Sequence, residues 1–185
     1  MVELQICRED ELPDGLRCQI LSIMRCIWPE DFVGEKRLRN WITEKEYEPL
    51  HLSLVEQGIL ISHAEVVRHI VEHLGKTYKI CGLTEVFTCP TFRGEGHGKR
   101  IVDTATKYVR DSDADIGMFH CDEQVVGFYE NAGWTAMRNV MTLVGDRKNP
   151  KVSKEVMMAM FLSDKGKNAR PDLESEPVYF GKRTW

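Results

Sequence analysis

Between Leu83 and Val102 the chain passes from an apolar strand through Pro90 and a glycine-rich bend, Arg93-Gly-Glu-Gly-His-Gly98, into an amphipathic helix. No other feature constrains the fold as much. Gly94, Gly96 and Gly98 remove side chains so that backbone N–H groups can approach an anion. The first turn of the next helix adds its unpaired N–H groups and positive dipole end. Arg93 and Lys99 bring fixed positive charge. Ile101, Val102, Ala105, Tyr108 and Val109 recur at one-face helical spacing and leave Lys107 and Arg110 outside. The bend is expected to hold phosphate. A P-loop would need Ser or Thr after Gly98-Lys99, where Arg100 stands, and a dinucleotide fingerprint would need G-x-G-x-x-G near the start of a βαβ unit. Neither fits.

At 185 residues, one domain with a sizeable core is the expectation. A net charge of −4 with no basic run offers no footprint for nucleic acid. The start carries acidic residues where a secretory signal needs a basic end and an apolar run, and no stretch approaches a membrane span in length. Six cysteines without a C-x-x-C pair argue against a zinc site or a disulfide framework, so the expected setting is cytoplasmic with reduced thiols.

The bend with its flanking strand and helix resembles the acyl-CoA pyrophosphate loop of the GNAT superfamily of N-acetyltransferases. Some thirty residues on, Val126-Gly-Phe-Tyr-Glu-Asn-Ala-Gly-Trp134 resembles the helix and strand that complete the CoA site there. The resemblance covers roughly residues 50 to 145. It implies an α/β fold, single-domain, with a mixed, mostly antiparallel central sheet of about seven strands flanked by about four helices. It also implies acetyl-CoA as cofactor, a small-molecule amine as acceptor, and the homodimer pairing often found in that superfamily; charge and hydropathy give the expectation of no nucleic-acid or membrane partner.

Along the chain, residues 2–8 alternate as a first strand, and Asp14 is a candidate cap for a helix that ends before Pro29. A second short helix is expected after Gly34. From Leu50 the period becomes two, giving a hairpin turned at Gln57-Gly58 and a further strand after Gly75-Lys76 that delivers Glu85 to mid-sheet. His63, His69 and His73 lie on this meander with no ligand-spaced partner and are expected to be structural; no metal is expected. Ile116 to His120 is a buried parallel strand, and Gln124 to Asn131 a helix stopped by Gly133. Two closing strands, residues 134–144 and 155–162, flank a polar loop. The domain is drawn as residues 1–163, followed by a charged tail, 164–185, whose aromatic end docks near the acceptor site.

Acetyl transfer to an amine needs a base for the ammonium, polarisation of the thioester carbonyl and a proton for the departing thiolate. Glu85 is the candidate base: strict alternation sets it beside Leu83 and Phe87, where an apolar setting raises a carboxyl pKa. Tyr129, a phenol that stays protonated, is the candidate acid, on the position the resemblance places beside the CoA sulfur. Val86, Phe87 and Thr88 are expected to offer backbone groups to the pantetheine arm. Arg93, Gly94, Glu95, Gly96, His97, Gly98 and Lys99 form the pyrophosphate loop, with Asn131 a further cofactor contact.

Within the superfamily the chain is most similar to aminoglycoside 2′-N-acetyltransferases, on Asp31-Phe32, His63-Ala-Glu-Val66, Glu85 and the terminal Trp185. That likeness implies Asp31, Glu85, His120 and Trp185 as substrate contacts. Lys182 and Arg183, close to Trp185, depart from it because they repel a polycation. A peptide or polyamine acceptor, and a non-catalytic acyl-CoA-binding module, are the alternatives.

Overall fold

The structure, a computed structural model, describes residues 1–185. Its main sheet has seven strands in the order β1 (Glu3–Arg8), β2 (Leu50–Glu56), β3 (Ile59–His73), β4 (Lys76–Thr88), β5 (Ile116–Cys121), β9 (Val156–Phe161) and β6 (Thr135–Ala136), and a three-stranded sheet runs β10 (Val178–Gly181), β7 (Thr142–Asp146) and β8 (Asn149–Val152). With four α-helices this is an α/β fold with a mixed, mostly antiparallel sheet, the architecture that the resemblance implies. No helix is long and apolar enough to cross a membrane. The chain divides into two compact units, residues 1–67 with 85–105, and residues 68–84 with 106–185.

In the first unit, β1 (Glu3–Arg8) and β2 (Leu50–Glu56) pair antiparallel, and β2 pairs antiparallel with β3 (Ile59–His73). The β2–β3 turn is Gln57-Gly58, with φ of 49° and 79°, the left-handed pair that a two-residue hairpin turn requires. Helix α1 (Asp14–Ile27) buries Leu16, Ile20, Leu21 and Met24, spaced one helical turn apart. Asp14 is its first residue and not its cap: Pro13 holds the cap position without a side-chain hydrogen bond. Leu12, Phe32, Ile42, Val55, Leu60 and Phe87 complete this core. The helix expected after Gly34 is only a 3-10 turn, Gly34–Leu38, and residues 41 and 42 lie outside any helix.

In the second unit, the strand begun at β4 (Lys76–Thr88) pairs parallel with β5 (Ile116–Cys121), and β5 pairs antiparallel with β9 (Val156–Phe161). The β3–β4 turn is Leu74-Gly75, both left-handed, one residue earlier than the sequence suggests. Phe119 meets Tyr129 and Trp134 edge to face, with centroids 4.7 Å and 4.6 Å apart, and the Trp134 indole donates to Thr106 Oγ1 at 2.9 Å. The expected polar loop contains a strand, β8 (Asn149–Val152), pairing back on β7 (Thr142–Asp146).

Residues 164–177 are not the tail that their charge suggests. They form α4 (Asp164–Ser175), capped by the Ser163 hydroxyl, with Gly166, Ala169 and Leu173 buried. Pro171 stands inside this helix, and its polar residues face solvent around a narrow apolar stripe. The chain then forms β10 (Val178–Gly181), parallel to β7. Trp185 packs on Phe180 at 4.9 Å and on the face of Gly82, where an added Cβ would overlap the indole and Met118 O.

Gly82→Ala is therefore expected to destabilise the protein by about 1–3 kcal/mol, because a backbone carbonyl cannot yield to it. The indole should be displaced, with red-shifted tryptophan fluorescence. An unchanged denaturant midpoint with unshifted fluorescence would contradict the packing of Gly82 against Met118 O and Trp185.

Candidate active site

The glycine bend follows a 3-10 turn, Pro90–Phe92, and opens into α2 (His97–Arg110). Gly94 and Gly96 have φ of 85° and 81°, a region that side chains rarely enter. An added Cβ at either would have nothing within 4 Å. Their faces are open, as a cradle for an anion must be, beside the N-terminus of a fourteen-residue helix. Arg93 is held by its Nε–H donating to Thr88 O at 3.1 Å, His97 Nε2 lies 3.2 Å from Glu95 Oε2, and Lys99 pairs with Asp103. Glu95, Gly96 and Lys99 are exposed, and His97 and Gly98 half-buried. The loop is thus charged, open and backbone-lined, and these residues fit a diphosphate ester.

Upstream, Glu85 is buried, 8% exposed, and has φ of 50° within β4, three residues from its C-terminal end. For a residue with a Cβ this costs on the order of 1–2 kcal/mol. Such strain gathers at functional positions. The left-handed residue also breaks the period of two, so strict alternation with Leu83 and Phe87 does not carry through it. Beyond it, Val86 and Thr88 are half-buried, and Phe87 O accepts from the Ser62 hydroxyl at 2.8 Å.

Asp31 sits half-buried in the 3-10 turn Pro29–Phe32, next to Phe32. The Phe32 ring carries the guanidinium of Arg39 at 4.3 Å and that of Arg25 at 4.9 Å. Arg39 is only 1% exposed, and none of its side-chain nitrogens has a hydrogen-bond partner. A cavity of about 390 Å³ lies beside the bend, lined by Cys18, Gln19, Ser22, Ile23, Cys89 and Phe92 among others. None of the expected site residues lines it.

In the second unit, Tyr129 lies on α3 (Val126–Glu130), and exposed Asn131 caps that helix. Burial pushes the Tyr129 phenol up, with Cys121 adding to it, so it stays protonated. Cys121 is itself pushed up to about 12, first by burial and then by Glu155 and other nearby acids, and burial raises Cys89. Neither thiol is poised as a nucleophile. His120 N–H donates to Trp185 O at 2.7 Å, His120 Nε2 lies 3.0 Å from Thr142 Oγ1, and Nδ1 is buried without a partner. Burial holds its pKa at about 3, so the imidazole is neutral. The structure thus joins His120 and Trp185, both buried. Lys182 is exposed and Arg183 half-buried.

One constellation was not legible from linear spacing. His69 and His73 bond backbone carbonyls of Phe180 and Asp172, as structural histidines do. His63, by contrast, lies in a buried row with His51 and Glu65. Glu65 Oε1 is 3.1 Å from His51 Nδ1 and 3.4 Å from His63 Nε2, and all three side chains are fully buried. Glu9 Oε2 lies 2.6 Å from His51 Nε2, and Ser53 Oγ lies 3.0 Å from His63 Nδ1. Burial opposes charge on both rings. For His51 the two carboxylates outweigh it and raise the pKa; for His63 burial prevails and lowers it. Glu65 is two residues from His63, a spacing that shares a strand face. Locating His51 required the register of the hairpin.

These features define an α/β protein that presents a glycine-lined anion cradle between a kinked strand and a helix. The chain belongs to the GNAT acetyltransferases: the model of the acetyltransferase (GNAT) domain matches residues 31–137, more than half of it. It is an acetyl-CoA-dependent N-acetyltransferase. No curated protein sequence matches it. Among solved structures it is similar to the Escherichia coli GNAT family N-acetyltransferase YhbS in complex with CoA, at 14% identity over 99% of this chain and 91% of that one, with a TM-score of 0.65. Escherichia coli ElaA aligns at 16% identity over 86% and 99%, with a TM-score of 0.60. An aminoglycoside 6′-N-acetyltransferase complexed with coenzyme A aligns at 15% over 86% and 97%, with a TM-score of 0.59. At such identities the likeness is one of fold.

Stability should fall in mild acid. The folded-state pKa of His120 is depressed, so the unfolded chain takes up the proton first. Its contribution is complete above pH 6.5 and is lost as pH falls toward 3. From pH 8 to pH 5 the loss should be about 2 kcal/mol, seen in urea midpoints. His120→Gln should flatten that limb; an equal slope in the variant would remove His120 as the cause.

Proposed function

We propose that the protein transfers the acetyl group of acetyl-CoA directly to a primary amine of a small cationic, aminoglycoside-like substrate. Bound acetyl-CoA supplies the thioester. The observation that carries the reading is Glu85, a buried carboxylate held left-handed eight residues before Arg93, where the open bend begins. In this reading Glu85 accepts the ammonium proton, directly or through water. The protonated Tyr129 phenol donates toward the departing sulfur. Backbone groups of Val86, Phe87 and Thr88 order the pantetheine arm, the N–H groups from Gly94 to Lys99 take the diphosphate, and Asn131 adds a cofactor contact. Asp31, His120 and Trp185 complete the acceptor side.

A second reading is favoured by Arg39, a buried guanidinium without a hydrogen-bond partner next to the Asp31 turn. It would suit an amine that also bears a carboxylate or phosphate.

A CoA-release assay with aminoglycosides, polyamines, peptide amines and amino acids separates these readings. Turnover with aminoglycosides supports the first, and turnover confined to anionic amines supports the second. Silence throughout, with CoA still bound, leaves a binding module. With an active acceptor, Glu85→Gln should lower kcat by about 10²–10⁴-fold at neutral pH. Tyr129→Phe should slow turnover while sparing CoA affinity. Unchanged rates would remove both residues from the mechanism.

A further inference from the structure

We propose that His51, His63 and Glu65 form a buried binding site for one divalent transition-metal ion of the zinc class, with the second Glu65 oxygen or a water in the fourth position. The expectation of no metal came from linear spacing, which the hairpin register overrides. Antiparallel pairing sets His51 opposite Glu65 and Ser53 opposite His63, so all four side chains issue from neighbouring positions of one two-stranded ladder. One donor atom from each of His51, His63 and Glu65 lies within 4.8 Å of the others. Donors about 2.0–2.2 Å from a tetrahedral ion stand about 3.4 Å apart. The two nitrogens lie 3.1 Å and 3.4 Å from Glu65 Oε1, near that spacing.

Two further observations separate this group from an ordinary buried ion pair. His51 Nδ1 is close to Glu65 Oε1 yet makes no hydrogen bond to it, and Glu65 Oε2 is buried with no partner at all. Buried polar atoms left in this way call for an occupant. The ring nitrogens facing away from the group also have the partners that metal-bound histidines use. His51 Nε2 lies against the Glu9 carboxylate, itself clamped by Arg17, and His63 Nδ1 lies against the Ser53 hydroxyl. Two imidazoles and a carboxylate suit zinc better than magnesium or calcium, which favour oxygen donors. With all three side chains fully buried, the ion would be structural, tying β2 to β3 and, through Glu9, to the segment that follows β1.

The test uses the untagged full chain, stripped with a chelator and then dialysed against zinc. One equivalent of zinc per chain by elemental analysis is expected, with a higher Tm than the stripped protein. Cobalt(II) in its place should give visible d–d absorption. Glu65→Gln should abolish stoichiometric binding, whereas Ser53→Ala should weaken it about 10–100-fold, as loss of an outer partner does. His69→Gln, outside the group, should bind as the unaltered protein does. Should the unaltered chain take up no zinc and melt at the same temperature with and without it, the group is a metal-free ionic ladder and the proposal fails. It fails equally if Glu65→Gln, folded by circular dichroism, still binds one equivalent.

Discussion

A single left-handed residue, Glu85, is the constraint on which the rest depends. β4 runs unbroken from Lys76 to Thr88, yet at Glu85 the backbone takes a conformation that its side chain disfavours, at a cost on the order of 1–2 kcal/mol. The division between the two compact units falls between Thr84 and Glu85. Before that point β4 keeps its parallel register with β5 at Ile80 and Cys81. After it the strand turns its edge groups to other uses: Phe87 O is taken by a serine hydroxyl, and Cys89 N–H donates to Ile61 O at 2.9 Å. The chain thus arrives at Pro90 anchored on β3, and the glycine bend is launched from a fixed base.

From that base the bend needs little else. Gly94 and Gly96 take conformations available to few other residues and leave their outer faces clear, and the helix behind them supplies directed N–H groups. Charge plays a secondary part, since Arg93 and Lys99 already have intramolecular partners in Thr88 and Asp103. Within the second unit, an aromatic core around Phe119 fixes Tyr129, and burial keeps that phenol protonated. Around Asp31 the signs are mixed, because the neighbouring Phe32 ring carries two guanidinium groups.

The strand-bend-helix order was legible because glycine, proline and amphipathic spacing each have a local physical cause, and the Gln57-Gly58 hairpin for the same reason. What escaped was set by tertiary context. The 164–175 segment buries so few side chains that its charge masked a helix held by a serine cap and three small or apolar residues. The 149–152 strand contains a proline and is wholly exposed, so no alternation marked it. The left-handed turn of Glu85 leaves no trace in composition, because any residue there would read as part of an apolar strand. The His51, His63 and Glu65 group depends on which residues face each other across a hairpin, and register is invisible until both strands are paired.

The central claim is that the bend from Gly94 to Lys99 holds the diphosphate of CoA by its backbone. Amide chemical shifts recorded while CoA is titrated into nitrogen-15-labelled protein test it most directly. The account predicts that the largest shifts fall on the amides of Gly94, Glu95, Gly96, His97, Gly98 and Lys99, and that desulfo-CoA reproduces them while pantetheine alone does not. CoA binding that leaves those six amides unmoved would contradict it.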